Sequence, residues 1–188
     1  MTVANEYKKT ILANPPWIDP LFENPKWSSW LWLVVRLYLG YEWLMAGYEK
    51  LINPAWMSGA ALKGFWTSAV KVSGSGHDPI SYDWYRAFIQ SMLNANAQTW
   101  FGPLVAAGEL LIGISLILGL FTWLGALMGG FMNWNFTMAG SGSVNGMYLV
   151  LSFLLILAWK VAGYWGLDRW VLKWIGTPWQ AGSLFRKK

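Results

Sequence analysis

The chain has 188 residues, 55% of them hydrophobic and only 12% charged, with sixteen tryptophans and a net charge of +5. A soluble domain usually carries about 25% charge, so this composition excludes an ordinary water-facing surface and points to a membrane protein. The basic excess flanks apolar stretches, which reads as a positive-inside signal with attraction to anionic lipid, not as a nucleic-acid surface.

Residues 1–27 are polar, with Pro15, Pro16, Pro20 and Pro25 opposing a long helix. Trp17 and Trp27 suggest a segment lying on the membrane surface; a partly ordered tail is the alternative. No apolar run precedes Trp30, so no cleavable signal peptide is expected, and the first span serves as its own insertion signal. That span, 28–51, is long enough to cross a bilayer yet holds Arg36, Glu42, Glu49 and Lys50. At about 100° per residue, Arg36, Gly40, Trp43, Gly47 and Lys50 share roughly 80° of arc. Glu42 and Glu49 lie on another face. An ionisable group facing lipid costs at least about 2.5 kcal/mol, so the stripe should face protein, water or a ligand.

Residues 52–97 form the longest connection. One short helix is expected over 55–71 after Asn53-Pro54, and a second over 79–95 after Asp78-Pro79, each with a capping side chain before a first-turn proline. The second is amphipathic, with Tyr82, Tyr85, Phe88, Ile89, Met92 and Leu93 on one face. Three apolar spans follow, at about 98–120, 121–140 and 146–165, joined by connections short enough to make them antiparallel neighbours. The 121–140 span contains Gly125-x-x-x-Gly129, a spacing that lets helix backbones approach closely. The expected architecture is all-α: an integral membrane four-helix domain over 28–166, interfacial helices in the first connection, and a basic interfacial segment over 167–188. The basic tails place both termini in the cytoplasm and the chain in the plasma (inner) membrane as a multi-pass protein.

The chain has no cysteine, and His77 is its single histidine. Thiolate chemistry, iron–sulfur clusters held by cysteine, covalent c-type haem and a bis-histidine haem are therefore excluded for this chain alone, and no metal site is expected. His77, in a Gly/Ser-rich stretch, reads as an ordinary exposed histidine. With the inner helix ends level, Arg36 and Glu109 lie roughly 12 and 16 Å above the inner boundary. That predicts an Arg36–Glu109 pair, either a packing ion pair or a relay, with Glu42 as a further proton acceptor. Asn133 and Asn135 read as interhelical hydrogen-bond groups, and Lys160 as a residue reaching the inner surface. Trp43, Trp66, Trp84 and Trp134 could flank a quinone ring, or could simply be belt and core residues.

Arg36, Gly40, Gly47 and Lys50 resemble the first-helix pattern of the DoxX/DoxD family. Gly108-Glu109-Leu110 with Gly113 and Leu118-Gly119 resembles its second-helix pattern, and Gly163-Tyr164-Trp165-Gly166-Leu167-Asp168 its ending. The resemblance covers residues 30–170. It implies a small four-helix membrane subunit tied to quinone-linked or sulfur redox chemistry, as in the DoxD subunit of thiosulfate:quinone oxidoreductase, which works with a DoxA partner. By position it implies roles for Arg36, Lys50, Glu109 and Asp168.

The expected function is thus a quinone-linked oxidoreductase subunit oxidising thiosulfate or a related sulfur donor. Arg36, Glu109 and Glu42 are the expected catalytic residues, and Lys50, Lys63 and Arg86 would hold the anionic donor. Trp43, Trp66, Trp134 and Asn133 would hold quinone, while Asp168, Gly125 and Gly129 are structural. The expected partners are the bilayer, quinone and another membrane or periplasmic subunit. The alternative is a non-catalytic accessory subunit of a larger membrane complex; a carrier or channel is the third reading.

Overall fold

A computed structural model describes residues 21–22, 24, 26–72, 78–177 and 180–185. The surface segment expected over 1–27 lies mostly outside these residues, as do His77 and Arg186 to Lys188. Among the described residues the fold is helical: α1 Ser28–Leu51, α2 Pro54–Met57, α3 Ala60–Ala69, α4 Asp83–Asn94, α5 Gln98–Leu118, α6 Thr122–Met138, α7 Asn145–Leu157, α8 Trp159–Ala162 and α9 Asp168–Ile175. A two-residue hairpin, β1 Gly176–Thr177 against β2 Gln180–Ala181, follows α9.

Helix α1 packs along α5, α6 along α7, and α5 and α7 also border α6 and α1 respectively. The closest approach is between α1 and α5. A Cβ added at Gly47 or Gly113 would land on the backbone of Leu110 or Leu44, so only glycine permits this contact. Gly40 lies against Leu116 and Ile117. These three contacts fix an antiparallel register in which Arg36 lies level with Gly119 and Lys50 with Glu109. Gly125 and Gly129 behave differently from expectation. They make room for side chains, Ser115 at Gly125 and the Trp43 and Ile112 side chains at Gly129, and bring no second backbone close.

Of the long helices described, α5 alone is both long and apolar enough to pass as a membrane span. Helix α1 is long but carries four ionisable residues, and α6 and α7 have 17 and 13 residues. The expected 146–165 span breaks at Ala158, where α7 gives way to the four-residue α8. Yet the outward faces of all four long helices are apolar: Val34 and Tyr41, Leu104 and Leu111, Phe131, and Val150 and Phe153 are all exposed. A surface this continuous in apolar groups is built to meet something other than water.

The first connection builds its own core. Leu62, Trp66 and Ala69 of α3 meet Ile80, Tyr85 and Ile89 with Ala97 and Ala139. It is seated through glycine: Gly59, at φ +78°, rests on the backbone of Gln98, and a Cβ at Gly102 would come 2.7 Å from the Trp56 carbonyl. Asn53 caps α2 through a 3.0 Å bond from the Ala55 N–H. Helix α4 starts at Asp83, later than Asp78-Pro79 suggests. Asp78 instead pairs with Arg86 at 3.2 Å, and Pro79 packs against Gly140. Tyr85 and Ile89 are buried while Tyr82, Trp84 and Phe88 are exposed, so α4 rests on protein along one edge and shows aromatic rings on the other.

Candidate functional site

Two clusters of charged residues lie at different heights in the apolar region. One joins Lys50 at the end of α1 to Glu109 in the middle of α5, with Nζ to Oε2 at 2.6 Å. Glu109 is 1% exposed and the Lys50 side chain 19%, so the pair runs from buried acid to partly wetted ammonium. Lys50 also lies 5.0 Å from the centre of the Trp56 ring, a cation–π contact. A buried carboxylate needs such a partner, because an unpaired charge there is costly.

The other cluster surrounds Arg36, which is 1% exposed. Its Nη2 donates to the Trp165 carbonyl at 3.1 Å. Its Nη1 occupies a cradle between Gly119 and Gly166, where a Cβ on either residue would collide with it. Asp168 supplies the nearby opposite charge. The Asp168 carboxylate accepts from the Phe121 N–H at 2.6 Å and the Thr122 N–H at 2.9 Å, filling two of the donors left open at the start of α6. Backbone bonds complete the knot: Asp168 N–H to Gly119 O at 2.8 Å and Leu167 N–H to Leu118 O at 3.1 Å. Phe121 holds a left-handed conformation at φ 52°, strain that these bonds offset. Asp168 is therefore structural in this fold: both its oxygens hold the α5–α6 turn.

The expected Arg36–Glu109 pair is not formed. Level inner helix ends would align residue 28 with 120. The glycine contacts instead align 47 with 110 where level ends would set it against 101, about two and a half turns away, so α1 runs on past the end of α5. Glu109 meets Lys50, and Arg36 turns to the chain's end. The close fit of Gly47 and Gly113 was the sequence signal for this register.

The remaining expected site residues do not converge. Glu42 accepts from the Tyr148 hydroxyl at 2.9 Å, tying α1 to α7, while Glu49 is exposed. Lys63 is exposed on α3. Arg86 is held by Asp83 at 2.6 Å, Asp78 and the Ile80 carbonyl, so it braces its own loop. Of the residues expected at quinone, Trp43 and Trp66 are each 4% exposed and Asn133 1%, and the two tryptophans sit in separate cores. Trp43 is already packed against Gly129 and near Phe136. All three side chains are closed off from the surface. Trp134, 40% exposed beside Phe131, is the expected position that lies open at the surface.

Asn135 does bridge elements, accepting from the Tyr85 hydroxyl at 3.2 Å through its side chain and 3.1 Å through its carbonyl. Burial disfavours the phenolate and raises the pKa of Tyr85 above its ordinary value. The Trp43 Nε1, the Asn133 amide, Ser152 Oγ and Thr122 Oγ1 are buried without a protein partner among the described residues. Sequence reasoning missed Tyr148, Tyr85 and the Trp165 carbonyl; only the tyrosine positions on amphipathic faces hinted at them.

The family model described as DoxX matches residues 31–140, more than half of the chain, from α1 through the end of α6. None of the curated proteins and none of the solved structures matches.

Proposed function

Because the chain belongs to the DoxX family, a membrane family, we propose that it is the membrane-embedded subunit of a quinone-linked oxidoreductase. The donor in this reading is thiosulfate or a related sulfur oxyanion. The long helices α1, α5, α6 and α7 form a four-helix bundle across the plasma membrane, with both tails cytoplasmic and the α2–α4 connection outward. The continuous apolar outer faces support the crossing, since Arg36 and Glu109 are buried and Glu109 is paired with Lys50.

The observation that carries the reading is the Lys50–Glu109 pair. It joins a wholly buried acid to a partly wetted cation at the outward end of the bundle. An anionic donor arriving there meets the Lys50 ammonium beside the Trp56 ring. Joining two thiosulfates through a new S–S bond releases two electrons, and quinone takes up those two electrons with two protons to become quinol. Glu109, held by Lys50, is the chain's acid for exchanging a proton at this depth. The ring itself is met at the lipid-facing Trp134–Phe131 pair or on a partner subunit, not among Trp43, Trp66 and Asn133.

A second reading, an accessory subunit without turnover of its own, is supported by the exposed aromatic edge of α4, Tyr82, Trp84 and Phe88, which another chain would cover. Thiosulfate-dependent reduction of decyl-ubiquinone separates the two, measured in membranes of the native host depleted of this chain and then resupplied. Restoration by the wild type but not by Glu109→Gln supports the oxidoreductase reading. Equal restoration by both supports the accessory reading. No change on depletion defeats the assignment to this redox reaction.

A further inference from the structure

We propose that a cleft between α8 and α9 binds a phosphate-bearing anion, the headgroup of an anionic phospholipid. The cleft has a volume of about 320 Å³ and is lined by Lys160, Arg169, Lys173 and Asp168 together with the Trp159 and Tyr164 rings. Neither the family match, which ends at residue 140, nor the redox reading assigns this site.

Three cations and one carboxylate line it, and the carboxylate is already committed. Both Asp168 oxygens accept backbone N–H groups from the start of α6, so its charge faces that helix end. The cations therefore dominate the field inside the cleft. The Arg169 guanidinium lies 4.9 Å from the centre of the Tyr164 ring. Stacking of this kind holds the planar fork in place while leaving its edge to take phosphate oxygens. Lys160 and Lys173 approach from α8 and α9, point charges suited to the same oxygens.

The surroundings favour a lipid over a soluble anion. Trp170 and Trp174 of α9 are 60% and 67% exposed, placing amphipathic rings where headgroups meet hydrocarbon. Trp159 and Leu172 line the cleft beside the charges, giving glycerol and acyl carbons an apolar wall. A free phosphate shares the oxygen chemistry but has no use for that wall.

The test uses the full-length protein in neutral detergent, with bound lipid counted by native mass spectrometry. The probes are dioleoyl-phosphatidylglycerol and dioleoyl-phosphatidylcholine, with inorganic phosphate as competitor. Each basic group near a membrane surface adds about fivefold to binding of anionic lipid, so losing two weakens it roughly 30-fold. The phosphatidylglycerol preference should fall by about that factor in Lys160→Gln/Lys173→Gln. It should persist in Lys160→Arg/Lys173→Arg, which keeps the charge, and in Lys71→Gln, an exposed lysine elsewhere. Displacement of phosphatidylglycerol by millimolar phosphate supports the site and makes the soluble anion its source. Equal binding of the two lipids by the wild type overturns the proposal. So does a loss in Lys71→Gln as large as in the double glutamine variant.

Discussion

Lys50 and Glu109 meet at 2.6 Å although they stand 59 residues apart, and the glycine contact of Gly47 on the α5 backbone brings them level. Close packing of uncharged backbone thus decides which acid and which base are partners. The pair is a consequence of helix register, and its energetics follow from burial of one end.

Replacing Lys50 with alanine strands the Glu109 carboxylate in an apolar interior. Breaking a buried pair from one side costs about 3–5 kcal/mol, whereas replacing both members by apolar residues of similar volume is often nearly neutral. Thermal unfolding in detergent should show a large loss for Lys50→Ala and a much smaller one for Lys50→Met/Glu109→Leu. If the pair relays protons, the double variant stays folded yet inactive in the decyl-ubiquinone assay.

Asp168→Asn removes one of two acceptor oxygens at the α5–α6 turn and the counter-charge of Arg36. A buried N–H left unsatisfied costs about 1–3 kcal/mol. The variant should unfold at lower temperature or denaturant than wild type. Hydrogen exchange at the Phe121 and Thr122 amides should accelerate locally.

Glycines of this chain divide by what surrounds them. Gly47→Ala and Gly113→Ala press a methyl onto facing backbone and should destabilise by about 1–3 kcal/mol through overpacking. Gly64 sits inside α3 with nothing within 4 Å of an added Cβ. Gly64→Ala should stabilise by about 0.5–1 kcal/mol, because alanine loses less backbone entropy in a helix. Opposite signs in one denaturation series are the expected readout.

Tyr85 pins α4 to α6 through two bonds to Asn135, and burial raises its pKa. A raised folded value means that the Tyr85 contribution is whole below the unfolded value of about 10. It is lost as pH climbs through the higher folded value. Tyr85→Phe should cost about 0.5–1.5 kcal/mol at neutral pH. The stability gap between variant and wild type should close in strong alkali, as followed by denaturant unfolding across pH.

Much of the helical layout was legible because it rests on local chemistry. The apolar run from Ser28 to Leu51 is helical throughout, and Asn53 caps the next element with its own side chain. Pairings were less legible, since they depend on register. Arg36 and Glu109 look matched in height only when helix ends are taken as level. Asp78-Pro79 looks like a helix start, but the nearby Arg86 draws Asp78 into an ion pair and the helix begins five residues later. The aromatic residues were ambiguous for a different reason. Periodicity places Trp43 and Trp134 on helices but does not say that one is packed on glycine while the other faces outward.

The Arg36 cradle also sets an order on biogenesis. Helix α1 is made first, but the carbonyl that receives its guanidinium comes from Trp165, 129 residues later. The acid that balances Lys50 arrives 59 residues after it. A nascent chain therefore carries an unsatisfied arginine until Trp165 to Asp168 have been synthesised. Chains stopped before Gly166 and Asp168 keep a charged, unlatched first helix, the kind of defect that membrane quality control can recognise.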